Sequence, residues 1–309
     1  MERQLLMAVD GSIHSTQSLR YATKMLGGSD EVIFTLFHGE PMISQYLLDE
    51  VRTDPRAYSA LKKVNKKNKE KSRLLLEKQS ERLITMGIPK KRIVMVSQQR
   101  MTGLARDILE YGRKGIYDAI VVGRRGLSRA QKTFMGSTSA KLLEHSEVIP
   151  VWMVDGNVKS KKILVAVDGS ESSYRAVDHI GFMLSKNPNI KYCLFHVFQD
   201  AEDMDAISFR VDNPSINKLV NKGSKRHIEK FFADAEHKLA EAGITADRVN
   251  KISAKRKGRV GKIILNEAKR GNYGTVVVGR RGTSHAHYFG SVSRYVTERI
   301  TNRALWLVS

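Results

Sequence analysis

Residues Leu5-Leu6-Met7-Ala8-Val9-Asp10-Gly11-Ser12 return later as Ile163-Leu164-Val165-Ala166-Val167-Asp168-Gly169-Ser170. Leu36-Phe37-His38 returns as Leu194-Phe195-His196, and Val121-Val122-Gly123-Arg124-Arg125-Gly126 as Val277-Val278-Gly279-Arg280-Arg281-Gly282. The first two pairs are offset by 158 residues and the third by 156. Landmarks repeated at a near-constant offset, about half of a 309-residue chain, mean two tandem copies of one domain. The copies are expected to span 1–155 and 161–309. The short polar stretch 155–160 lies between them, and it reads as a linker.

Each copy alternates short β-branched runs with longer amphipathic stretches. Copy one predicts strands near 4–9, 31–38, 92–97, 118–122 and 149–154, with helices near 13–26, 58–86, 102–113 and 137–146. Copy two predicts strands near 162–167, 190–197, 248–253, 274–278 and 303–308, with helices near 171–185, 216–242, 258–270 and 291–301. Strand–helix alternation gives an α/β domain, a doubly wound, Rossmann-like parallel sheet flanked by helices. Runs such as Ala119-Ile120-Val121-Val122 and Thr275-Val276-Val277-Val278 suit strands buried on both faces. Ser12 and Ser170 are placed to cap first helices, and Gly87 and Gly243 suit left-handed helix ends. Stretches 39–57 and 198–215 are the least regular and read as loops beside a site.

Composition excludes several classes. No apolar run approaches the roughly 18 residues that span a bilayer, and the chain opens straight into a strand with no room for a secretory signal. Cys193 is the only cysteine, so no intramolecular disulfide forms. These features favour the cytoplasm and no membrane association. The net charge of +21 is shared, with 26 basic and 17 acidic residues in 1–155 and 27 and 15 in 156–309. An anionic partner and a merely basic solvated surface explain it equally well. Lys62, Lys63, Lys66, Lys67, Lys69, Lys71 and Arg73 crowd one helical stretch, as do Lys218, Lys222, Lys225, Arg226 and Lys230. They lack the aromatic interleaving that single-strand binders use for stacking, so a solvated face is favoured over nucleic acid.

The residues that carry chemistry lie at strand ends. Gly123 and Gly126, nine residues, then Gly136 and Ser137 follow strand four and precede helix four. Glycines let a ligand approach the backbone closely, and the first amides of the helix offer unpaired N–H groups and a favourable dipole to an anion. The competing reading is a tight turn with a serine cap. Asp10 and Asp168 end strand one, where a doubly wound sheet opens its crevice. Each either accepts hydrogen bonds from ribose or base, or closes an Asx-turn. Arg124, Arg125, Arg280 and Arg281 either offset phosphate charge or stand in solvent. His38 and His196 read as structural strand ends, and His285 and His287 lack the partners a metal needs. Walker-type, nucleophile-elbow and dinucleotide fingerprints are absent, and no obvious general base stands beside either glycine loop.

Together, a first strand ending in Val-Asp-Gly-Ser, a second ending in Leu-x-His and the Gly-x2-Gly-x9-Gly-Ser spacing resemble the universal stress protein family, here as a tandem two-domain member. The resemblance implies five-stranded parallel sheets of order 3-2-1-4-5. It also implies binding of an adenine nucleotide, ATP above all, with room for Mg²⁺ to bridge its phosphates, in a regulatory or protective stress role that is not catalytic turnover. Carried over, Asp10 faces the nucleoside, Gly123 and Gly126 line the ribose and phosphate path, and Gly136 and Ser137 bind phosphate. In copy two the roles fall to Asp168, Gly279, Gly282, Gly290 and Ser291, with Val197 on the base side. Only seven residues separate Gly282 from Gly290, and Gly39 replaces the usual apolar residue after His38. Copy one therefore has the better phosphate loop and copy two the better base side, and copy one is the favoured site. The resemblance further implies an unidentified protein partner and pairing through fifth strands, between the copies as an internal pseudo-dimer or between chains as a homodimer. A slow ATPase on the same fold and a nucleic-acid-binding module are the rival functions.

Overall fold

The strand that organises each copy is its first, flanked on both sides by parallel neighbours. The computed structural model describes residues 2–27, 31–125, 135–199, 214–280 and 290–309. It divides into two units, Met1–Asp155 and Gly156–Ser309. In unit 1, β1 (Arg3–Ala8), β2 (Val32–Glu40), β3 (Ile93–Gln99), β4 (Ala119–Gly123) and β5 (Val151–Val154) form a parallel sheet of order β3-β2-β1-β4-β5. Its helices are α1 (Ile13–Leu26), α2 (Gln45–Glu50), α3 (Pro55–Thr85), α4 (Leu104–Lys114) and α5 (Ser137–His145). In unit 2, β6 (Lys162–Val167), β7 (Lys191–Phe198), β8 (Val249–Lys255), β9 (Thr275–Gly279) and β10 (Ala304–Val308) repeat that order as β8-β7-β6-β9-β10. Its helices are α6 (Glu171–Leu184), α7 (Pro214–Glu241), α8 (Val260–Arg270) and α9 (Ser291–Arg299). The fold is the α/β sandwich that the alternation of elements and the family resemblance led one to expect.

Leu5 pairs with Phe34 on one side and Ala119 on the other, and Ile163 pairs with Tyr192 and Thr275. Consecutive residues Leu5, Leu6 and Met7 are fully buried, as are Ile163, Leu164 and Val165, so helices cover both faces of the central strands. Apolar burial of this kind is the dominant favourable term in folding, at roughly 25 cal/mol per Å². The edge strands β3 and β8 instead hold only half-buried and exposed positions, as suits strands with a single neighbour at the sheet edge.

The long helices end as their glycines predict. Gly87 and Gly243 take φ values of +93° and +86°, and Ile88 and Ile244 donate back to Leu83 O and Leu239 O. These are Schellman motifs, which satisfy carbonyls that the helix end leaves open.

Three local features depart from the sequence reading. α3 begins at Pro55, because Asp54 Oδ1 accepts from the Arg56 amide at 2.7 Å and proline suits a first helical position. The stretch read as irregular contains α2, which buries none of its residues. β2 also runs on to Glu40, whose buried carboxylate accepts from Ser97 Oγ at 2.8 Å. Among the described residues no helix is long and apolar enough to cross a membrane.

Candidate functional site

Two turns set the floor of the site in each unit. After β1, Gly11 takes φ +79°, which only glycine adopts without strain, and Asp10 Oδ1 accepts from the Ser12 amide at 3.0 Å. Ser12 then caps α1, its Oγ accepting from the Ser15 amide. Unit 2 repeats this with Gly169 at +77°, Asp168 Oδ1 on the Ser170 amide at 3.0 Å, and Ser170 capping α6. The Asx-turn therefore exists in both copies, and it aims the strand-one aspartate at the same cleft. Asp168 is tied further, since Ser173 Oγ donates to its Oδ1 at 2.8 Å.

The second strands are tied in by histidine. The His38 ring N–H at Nδ1 donates to Val9 O at 2.8 Å, and His196 does the same to Val167 O at 2.9 Å. Burial pushes the His196 pKa down, which keeps the ring neutral for this structural role.

The glycine loop is pinched shut at its base. The Gly136 amide donates to Arg124 O at 2.8 Å, and the Gly290 amide to Arg280 O at 3.1 Å. Ser139 Oγ, one turn into α5, donates to Gly123 O at 2.7 Å, and Ser293 Oγ does so to Gly279 O at 2.7 Å. Gly123 has a steric reason to be glycine, because a Cβ there would stand 2.9 Å from the His14 carbonyl. The α5 N-cap is Gly136 and Ser137 is the first helical residue, so the serine-cap reading of this turn does not hold. Among the described residues no side chain caps α5 or α9. Their first-turn amides are then satisfied by water or by a ligand, and a helix N-terminus favours an anion.

These pieces meet in one cleft per unit. In unit 1 a cleft of about 290 Å³ is lined by Asp10, His38, Gly39, Gly123, Arg125, Gly136 and Ser137. In unit 2 a cleft of about 250 Å³ is lined by Asp168, Val197, Gly279, Gly290 and Ser291. All the expected site residues thus converge except Gly126 and Gly282, which lie outside the described residues, as do Arg281, His285 and His287.

Gly39 carries a compensation. A Cβ there would run into Leu104 Cδ1, so α4 supplies the apolar group that this strand end lacks. In unit 2, Val197 and Val260 line the cleft at the corresponding positions.

The arginines divide. Arg124 is buried and pairs with the buried Asp155 at 3.7 Å, so it neither faces solvent nor lines the cleft. Burial lowers its pKa, and Asp155 partly restores it. Arg125 lines the cleft and donates to Asp155 Oδ1 at 2.9 Å. Asp155, read from the sequence as the first linker residue, is instead the anchor of the loop base. Arg280 is buried like Arg124. The α3 lysines Lys62, Lys63, Lys66, Lys67, Lys69 and Lys71 stand in solvent, and Arg73 is held by Glu70 and Glu77.

Sequence reasoning missed Ser139 and Ser293. The signal was there: Gly136-Ser137-Thr138-Ser139 and Gly290-Ser291-Val292-Ser293 share a serine three residues after the glycine.

The model of the universal stress protein family matches residues 1–155 and again 159–303. The chain belongs to the universal stress protein family. It is 31% identical over 146 residues to universal stress protein YxiE of Bacillus subtilis, covering 45% of this chain and 93% of that one. It is 23% identical over 212 residues to a universal stress protein of Mycolicibacterium smegmatis, covering 67% of each. Among solved structures, a universal stress protein from Archaeoglobus fulgidus superposes with a TM-score of 0.65 at 19% identity, covering 99% of this chain and 98% of that one. A likeness at that identity speaks for the shared fold.

Proposed function

We propose that this universal stress protein binds an adenine nucleotide, ATP in the first instance, in the unit 1 cleft, and acts by recognition in a regulatory or protective role. One observation carries the reading: Asp10, Gly123, Gly136 and Ser137, from three separate parts of the chain, line a single cleft. The donor set suits the ligand. Asp10 is an acceptor placed for ribose hydroxyls, and Ser137 with the uncapped amides of α5 is a donor set for phosphate oxygens. Arg125 adds a cation on the same wall. Leu104, filling the place of a side chain at Gly39, offers an apolar surface on the base side. Among the described residues no group of three or more acidic, histidine or cysteine side chains is placed to hold a metal ion, so Mg²⁺ would ride mainly on phosphate oxygens and water.

Unit 1 is favoured over unit 2 because its loop keeps the nine-residue spacing between Gly126 and Gly136, against seven between Gly282 and Gly290. The bound nucleotide would set the protein's affinity for a protein partner in the cell under stress. Denaturing freshly purified protein and identifying released small molecules by mass tests the reading. Adenine nucleotide released from wild type and missing from Gly136→Trp supports it. Nucleotide retained by Gly136→Trp removes the cleft from the account. Phosphate release from ATP that stops in Ser137→Ala would favour turnover over recognition.

A further inference from the structure

The unit 1 cleft does not end at the α5 N-terminus. A groove of about 630 Å³ between α4 and α5 shares Arg100, Leu104, Ser137 and Thr138 with it. Its walls are cationic. Arg106 and Arg113 come from α4, Lys141 from α5, and Arg100 stands at the junction, against the single carboxylate Glu110. Arg106, Arg113 and Lys141 are exposed, and among the described residues none of them forms an ion pair.

Unit 2 closes the same place. Tyr295 of α9 occupies the position of Lys141 and lies against Gly261 of α8, where a Cβ would come within 2.7 Å of its ring. Arg299 and Arg259 lie over that ring at 4.2 and 5.9 Å, so these two cations are engaged with the aromatic side chain. The two units, so alike at their clefts, differ in what lies beyond the phosphate end.

We propose that the α4–α5 groove of unit 1 is an anion subsite continuous with the cleft. It takes the distal phosphates of a nucleotide whose phosphate chain runs past the α5 N-terminus, as in a dinucleoside polyphosphate. The inference rests on the nucleotide reading of the cleft. Ser137 and Thr138 belong to both spaces, so a chain leaving the α5 amides enters the groove between Arg106 and Arg113 on one side and Lys141 on the other. Charge-assisted contacts of this kind strengthen binding and weaken as salt rises.

Calorimetric titration of nucleotide-stripped full-length protein with ATP and with diadenosine tetraphosphate tests the subsite. Wild type should bind the dinucleotide about tenfold more tightly than ATP at low salt, as two or three added charge-assisted contacts imply. The double substitution Arg106→Gln and Arg113→Gln, at exposed positions outside the cleft, should bring the two affinities to within about twofold. Lys141→Tyr combined with Ala105→Gly, which together supply the tyrosine and the glycine that meet in unit 2, should do the same. Equal affinities in wild type, or a preference that survives these substitutions, overturns the subsite and leaves the ATP cleft standing. Failure of wild type to bind either ligand overturns the cleft reading and the subsite together.

Discussion

Replacing Asp155 by alanine tests whether the base of the glycine loop is held by charge. The Asp155 side chain is 3% exposed, Arg124 6% and Arg125 25%, and the two ion pairs measure 3.7 and 2.9 Å. Removing one partner of a buried pair costs about 3–5 kcal/mol, because the remaining charge stays in a poorly solvating site. The 3.7 Å separation and the partial exposure of Arg125 place this case at the lower end. The expected loss for Asp155→Ala is about 3 kcal/mol, or a melting shift of roughly 6–12 °C for a unit of this size. The protein offers its own probes, since its two tryptophans fall one to each unit, Trp152 on β5 and Trp306 on β10. In a Trp306→Phe background, urea unfolding followed by Trp152 fluorescence reports on unit 1. Asp155→Asn, which keeps the volume and removes the charge, should account for most of the loss. A loss below about 1 kcal/mol would refute the argument, since that is the scale of a solvent-screened surface pair.

Two further outcomes follow from single residues. Ile116 is 83% exposed and sits at φ +54°, a left-handed conformation that β-branched side chains rarely adopt, while its counterpart Asn272 takes +52°. Ile116→Asn should therefore stabilise unit 1 by about 1 kcal/mol, read by the same Trp152 unfolding curve, and a destabilisation would contradict the strain argument. His179 lies against Trp306 with ring centroids 5.6 Å apart, and burial pushes its pKa from the ordinary 6.5 down to about 3. The unfolded chain then binds the extra proton first. The stability of unit 2 is full above about pH 6.5 and falls as pH drops toward 3, by at most about 1.4 kcal/mol per pH unit. His179→Phe should flatten the change between pH 7 and pH 5 seen by Trp306 fluorescence in a Trp152→Phe background. An unchanged pH dependence would assign the effect to other groups.

Much of this was legible in the chain. α1 at 13–26 and β6 at 162–167 fall where periodicity and capping residues place them. Doubly buried strands such as β4 and β9 are visible as unbroken apolar runs, because burial on both faces abolishes the two-residue alternation. What escaped was whatever depended on a neighbour distant in sequence. Asp155, before Gly156 and Asn157, reads locally as a linker, and its role comes from arginines 30 and 31 residues earlier that the sheet brings beside it. Gly39 reads as a lost contact, and only the fold shows Leu104 filling its place. Lys141 and Tyr295 read as unremarkable helix residues, yet one leaves a groove open and the other closes it. Local periodicity carries information about which face of an element is buried and none about what another element places there.

The most direct test of the central claim is calorimetric titration of nucleotide-stripped protein with ATP, wild type beside Gly136→Trp. Binding near one ATP per chain in wild type, lost in the variant, is the predicted result. An absence of binding in wild type, or a heat unchanged by Gly136→Trp, would contradict it and leave the glycine loop of unit 1 as a structural turn.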